Sequence, residues 1–315
     1  GSKTCTNRGE NISDTASLKD KLSNAILCIL RISIMKIEGQ VAVVTGGARG
    51  IGKSIVTSLL KLGAKVCFVD VDDDQGRETV RELEQIHGGK VMFRKCDIRK
   101  EMDIRDILKV TKETYGDLNI IVNNAGILDE NNISATITIN LEAQIQCAMI
   151  ALEFMGRNNG GKGGVVAFTS SLGGLKPNGI MPIYAAAKHG LVGFVRSMAL
   201  SPRINDWGVR FNCVCPGRVD TNMASINHMR KAIDPVDFER SVTPNHLENM
   251  IHLGTFLETY SDKVSDALKK DPTVDPTLMK ISLGAVAVKP IHASWLVKAI
   301  TGLKKETGYD WLEEI

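Results

Sequence analysis

A run of β-branched and small apolar residues, Val41–Thr45, leads directly into Gly46, and Gly50 and Gly52 follow at the start of an amphipathic stretch. Glycines in that pattern let a strand turn tightly into a helix and let backbone approach a pyrophosphate held at the helix N-terminus. A lone glycine triplet is a weak signal. Here the strand–turn–helix context strengthens it, as does Asp70, which closes the next β-branched run eighteen residues beyond Gly52.

This junction predicts a chain of alternating strands and helices. From Gln40 onward, strands are expected over 41–45, 65–70, 91–96, 118–122, 164–170 and 209–214, with helices over 51–62, 75–87, 101–115, 135–157 and 183–200. Short β-branched runs alternating with longer amphipathic ones imply an α/β fold, a single doubly wound parallel sheet with helices on both faces. A chain of 315 residues with 43% hydrophobic content can bury the core that such a domain needs. Residues 35–315 are expected to form that domain. Residues 1–34, mixed in charge and rich in Ser, Asn and Thr, read as a disordered or added extension or a leader, with an ordered helix over 16–34 as the alternative. The polar, weakly periodic segment 222–277 follows the sixth strand, where ligands meet the carboxyl ends of such sheets, and reads either as a substrate lid or as solvated surface helices.

Charge and cysteine content narrow the function classes. Lys and Arg number 39 against 36 acidic residues, dispersed rather than striped, and aromatics are only 5%, so a nucleic-acid partner is not expected. Seven cysteines, an odd number lying mostly in core segments, suit a reducing, cytoplasmic setting, with Cys213 and Cys215 as small buried hydrophobes on one strand face. Six scattered histidines and no paired-cysteine motif argue against a metal. The apolar run 25–34 is too short to span a bilayer, so no membrane span is expected.

The candidate cofactor residues follow the carboxyl ends of the strands. Asp70 is placed to accept from an adenosine ribose and to repel a 2'-phosphate, which favours NAD, whereas Arg49 in the glycine loop could contact that phosphate and favour NADP. Asp72, Asp73 and Asp74 read as a helix cap. Asp97 could accept from the adenine amino group or be a strand-end turn residue, and Asn123, Asn124 and Gly126 offer amides and close backbone approach to the ribose.

Tyr184 and Lys188, four apart on an expected helix, share one face, with Ser171 thirteen residues upstream. A phenol must drop from ~10 by roughly 2 to 3 pH units, about 3 to 4 kcal/mol, to act as a base near neutrality. An ammonium at ~4 Å in a medium of effective dielectric ~20 supplies about 4 kcal/mol. On that reckoning the pair suffices to make a phenolate.

With the glycine loop, the Asn-Asn-Ala-Gly turn at 123–126, Ser171 and the Tyr184–Lys188 pair in this order, residues 36–221 resemble the short-chain dehydrogenase/reductase family. The resemblance implies a Rossmann-type fold, with Tyr184 as proton acceptor and Lys188 binding the nicotinamide ribose and lowering the phenol's pKa. It further implies that Ser171, favoured over Ser170 by its spacing to Tyr184, orients the reacting oxygen, and that Asn140 anchors a proton-relay water. Ile51, Val71, Ile98, Val219 and Thr221 complete the implied cofactor set, with Thr221 contacting the nicotinamide amide unless its loop is merely structural.

The stretches 158–164, 171–177, 188–194 and 274–277 resemble family members that oxidise a secondary alcohol on a lipid-like substrate as cytosolic homodimers. Those members carry a Gln that touches substrate three residues before the tyrosine, where this chain has Met181. A thioether cannot replace an amide hydrogen bond, so the expected substrate widens to an apolar secondary alcohol such as a steroid, retinoid, terpenoid or fatty alcohol. Two other readings stay open: an NADP-dependent carbonyl reductase, and a non-catalytic nucleotide-binding or storage protein on the same scaffold.

Overall fold

A computed structural model describes residues 37–217, 219 and 221–241. The expectations for 1–34 and for the 242–277 part of the lid fall outside the described residues. In chain order the elements are β1 (Val41–Thr45), α1 (Gly50–Lys61), β2 (Lys65–Asp70), α2 (Asp73–His87), β3 (Val91–Lys95), α3 (Glu101–Tyr115), β4 (Ile120–Asn123), α4 (Ile133–Ile137) and α5 (Ala143–Met155). They continue with β5 (Gly164–Thr169), α6 (Pro182–Ala199), α7 (Ile204–Trp207), β6 (Val209–Val214), α8 (Ile226–Ala232) and α9 (Pro235–Ser241).

The six strands form one sheet in the order β3-β2-β1-β4-β5-β6, parallel at every pairing. Parallel strands covered on both faces read as continuous apolar runs, and all five residues of β1 are buried. Val43 faces a core shared by Leu108 of α3, Ala148 of α5, Leu191 of α6 and the strand residues Ile121 and Phe168. Ala42 and Val44 point the other way, and α1 packs against β1 and β2 with Ile55, Val56 and Leu59 buried. The order reverses between β1 and β4, which opens a crevice at their carboxyl ends, the place where such sheets take ligands.

Several boundaries differ from the sequence expectation for local physical reasons. β4 starts at Ile120 rather than 118, because the Asn119 side chain accepts from the Val41 N–H at 3.0 Å at the foot of β1. The helix expected over 135–157 begins at Ile133, where Asn132 accepts from the Ala135 N–H, and is interrupted by a π turn at Thr138–Glu142 before α5. The stretch Ile133–Met155 is long and apolar enough to cross a bilayer, yet Cys147, Ala148, Ile150 and Met155 lie in the core under the sheet. The short α7 had no sequence signal that separated it from a loop. In the described part of the segment expected as a lid, α8 and α9 pack through Met229, Ala232, Ile233 and Phe238 against Leu128.

Candidate active site

A cavity of about 1320 Å³ runs along the carboxyl edge of the sheet, lined from Asp70 and Asp97 at one end to Tyr184 and Met229 at the other. At its centre Gly46 adopts φ +64° and Gly50 φ +54°. A Cβ on Gly52 would sit 1.9 Å from the Gly46 carbonyl oxygen, so only glycine lets the loop fold back onto α1. The N-cap of α1, Arg49, makes no side-chain cap bond and the first turn carries no acid, which leaves the helix N-terminus free for an anionic group. This cradle fits a dinucleotide pyrophosphate.

The loop is knitted to β4 by two residues. Thr45 Oγ1 accepts from the N–H groups of Asn124 and Ala125 at 3.0 and 3.1 Å. The Asn124 amide donates to the carbonyls of Thr45 and Gly46, both at 3.1 Å, and accepts from Thr169 Oγ1 at 3.1 Å. Asn124 therefore lines the cavity while its side chain ties β1, β4 and β5 together, a use its sequence position did not disclose. Thr45 opens the glycine motif, but that its hydroxyl ties the loop to the end of β4 had no signal in the sequence.

Asp70 sits at the end of β2, where its carboxylate accepts from the N–H groups of Ala48 and Asp72, each at 3.2 Å. Arg49, which argued for a 2'-phosphate, is paired with Asp72 at 3.2 Å. Asp72 also caps α2 by accepting from the Gln75 N–H, as its position suggested. Asp72 thus supplies the carboxylate that the Arg49 guanidinium meets. At the far end Asp97 holds Arg99 through its side chain at 2.6 Å and accepts from the Arg99 N–H at 3.1 Å, which keeps its carboxyl below the usual range. Asp97, Ile98 and the exposed Val71 all line the cavity.

The reacting end gathers Ser171, Tyr184 and Lys188. Ser170 is buried with its hydroxyl donating to the Lys188 carbonyl at 3.0 Å, whereas Ser171 accepts from the Gly173 N–H at 3.1 Å and lines the cavity together with Tyr184. Lys188 is 3% exposed. Its Nζ donates to the Thr169 carbonyl at 2.9 Å and lies 5.6 Å from the centre of the Tyr184 ring. Asn140, on the π turn, grips Ile127 at both peptide groups, each at 2.8 Å, and its Oδ1 and Lys188 Nζ both abut Gly126. The irregular turn is what swings Asn140 inward.

Burial acts on both members of the Tyr184–Lys188 pair. Burial pushes the Tyr184 phenol above 10, only partly offset by its hydrogen bond to Ser171, and burial drives the Lys188 ammonium down to about 8. Lys188 is the enclosed member of the pair, its ammonium directed at the Thr169 carbonyl, while Tyr184 is part-buried and lines the cavity. Cys67, Cys96 and Cys147 are pushed by burial to about 11, 12 and 12, so these thiols are inert at neutral pH.

The remaining wall is formed by Pro216, Gly217, Val219 and Thr221, where the Thr221 hydroxyl bonds the Val219 carbonyl at 3.4 Å. Beyond Tyr184 the lining turns apolar, with Leu128, Ile139, Leu172, Met181, Met223 and Met229.

The sequence pattern of the family described as short chain dehydrogenase matches residues 40–231. The human 15-hydroxyprostaglandin dehydrogenase [NAD(+)] is 37% identical over 246 residues, spanning 78% of this chain and 85% of that protein. Zerumbone synthase of Zingiber zerumbet is 35% identical over 209 residues, 60% of this chain and 72% of the relative. Among solved structures, levodione reductase superposes with a TM-score of 0.62 at 26% identity, covering 76% of this chain and 94% of that one.

Proposed function

The chain belongs to the short-chain dehydrogenase family, and on that premise we propose that it oxidises a secondary alcohol on an apolar, lipid-like substrate with NAD. The observation that carries this reading is the gathering of Ser171, Tyr184 and the buried Lys188, its Nζ 5.6 Å from the Tyr184 ring centre, where the glycine-loop crevice meets an apolar wall. The human relative's name supports both the NAD preference and the substrate class.

Asp70, reinforced by Asp72 against Arg49, accepts from the adenosine ribose and disfavours a 2'-phosphate. When bound, the oxidised nicotinamide supplies the hydride acceptor and a positive charge that offsets the burial of the phenolate. Ser171 and Tyr184 hold the alcohol oxygen between two hydroxyls, and Tyr184 takes the alcohol proton. Lys188 holds a proton at Nζ beside the phenol and fixes the cofactor ribose. Asn140 holds Ile127 in place beside Lys188, where a relay water would serve it. Met181 adds apolar surface to the substrate wall and offers no N–H donor, which favours substrates with little polarity near the reacting carbon. The five described cysteines are free and buried, which suits a reducing cytoplasm, and the family resemblance supports action there as a homodimer.

The test is NADH formation by the purified protein with a 15-hydroxyprostaglandin and with a panel of steroid, retinoid, terpenoid and fatty secondary alcohols, NAD against NADP. Turnover with NAD on at least one of them is expected. A clear NADP preference would move the reading to a carbonyl reductase, and nucleotide binding without any turnover would move it to a storage protein.

A further inference from the structure

The catalytic helix α6 has no N-terminal cap of its own. Met181 at the N-cap makes no side-chain bond, and the first turn contains no acid. Its leading N–H groups converge instead on one carboxylate: Ile183 donates to Glu130 Oε2 at 2.9 Å and Tyr184 to Glu130 Oε1 at 2.8 Å, from 53 residues upstream. A carboxylate bridging two successive amides is charge-assisted at both contacts and complements the helix N-terminus. It therefore fixes the backbone from which the phenol projects.

Glu130 is itself anchored on the substrate side. Its N–H donates to the Ala232 carbonyl at 2.7 Å. Beside it, the Asn131 amide donates to the Lys231 carbonyl at 3.0 Å, and the His228 ring meets the Leu128 carbonyl at 3.1 Å. At the other end of the same segment Asn140 grips Ile127. Residues 127–131 are thus fastened to the π turn and to α8, and they hand a carboxylate to α6. Leu128 and Met229 belong to an apolar cluster against which Met181 and Tyr184 pack.

We propose that Glu130 is a positioning residue: it sets the placement of the Tyr184 phenol and, through Ala232, ties that placement to the seating of α8 beside the substrate wall. This rests on the reading of Tyr184 as the base. A misplacement near ~1 Å costs about 100-fold in rate. Glu130→Ala is therefore expected to lower kcat about 100-fold, with NADH affinity and KM for NAD within about threefold of the parent, since the glycine loop is untouched. Glu130→Gln keeps one acceptor oxygen and should recover part of kcat. A kcat within about threefold of the parent in Glu130→Ala overturns the proposal, as does loss of NADH binding in both variants, which would mark Glu130 as merely structural.

Amide hydrogen exchange at Ile183 and Tyr184 and ultraviolet titration of the phenol read the same placement without turnover. If the parent oxidises no alcohol, the functional reading fails alone and these two measurements decide. Faster exchange and a displaced titration in Glu130→Ala support the proposal, and no change in either overturns it.

Discussion

Replacing Lys188 by Met should stabilise the fold near neutral pH while abolishing activity. Lys188 is 3% exposed, and burial lowers its ammonium from 10.5 to about 8. At ~1.36 kcal/mol per pH unit that drop corresponds to about 3 kcal/mol of stability forgone when the group is charged. Met fills similar volume without charge but loses the bond to the Thr169 carbonyl, worth about 1 kcal/mol. The net gain at pH 7 is about 2 kcal/mol.

The sign follows from proton binding. The unfolded chain keeps this lysine protonated to near 10.5 and the folded chain releases it near about 8, so in between the unfolded state binds more protons and parent stability rises with pH. The penalty is complete below the folded value and fades toward the unfolded one. Urea unfolding of parent and Lys188→Met at pH 7 and pH 10 reads this directly. The variant should lead by about 2 kcal/mol at pH 7 and by about zero at pH 10, with NADH formation lost at both. A variant less stable at pH 7, or a gap that does not narrow with pH, would refute the buried-charge reasoning.

Three further outcomes are expected. Tyr184→Phe should remove turnover and leave NADH binding, followed by fluorescence titration, within about threefold of the parent, because on the proposed reading the phenol meets substrate rather than the glycine cradle. Asp70→Ala should raise the NADP-to-NAD ratio of kcat/KM at least about tenfold, an effect of ~1.4 kcal/mol; an unchanged ratio would show that Asp72 alone sets the preference. Gly52→Ala should weaken NADH binding by more than about tenfold, since its Cβ would lie 1.9 Å from the Gly46 carbonyl oxygen; unchanged affinity would mean that the loop relaxes freely.

The residues of β1 and the interior of β2 were legible without coordinates, because a strand buried on both faces writes itself as an unbroken apolar run, whereas β6 was legible through alternation, with Arg210 and Asn212 between Val209, Phe211 and Cys213. The glycine loop, Asp70 and the Tyr184–Lys188 pair were legible for a related reason: their meaning lies in short spacings that backbone geometry converts directly into a shared face or a tight turn. The sequence therefore determined the doubly wound sheet and the chemical cast of the site.

Everything that depended on distant approach was decided only on folding. Glu130 carries no local mark that it caps a helix 53 residues away, and Asn124 reads as a turn residue until Thr45, Gly46 and Thr169 surround it. Arg49 has a place in the glycine loop that the sequence shows, but its pairing with Asp72 at 3.2 Å came only with folding. Spacing put Tyr184 and Lys188 on one face, but only the fold set the burial that raises the phenol's pKa and lowers that of the Lys188 ammonium. Desolvation and long-range hydrogen bonding depend on which surfaces meet, and that is a property of the folded chain rather than of any window within it.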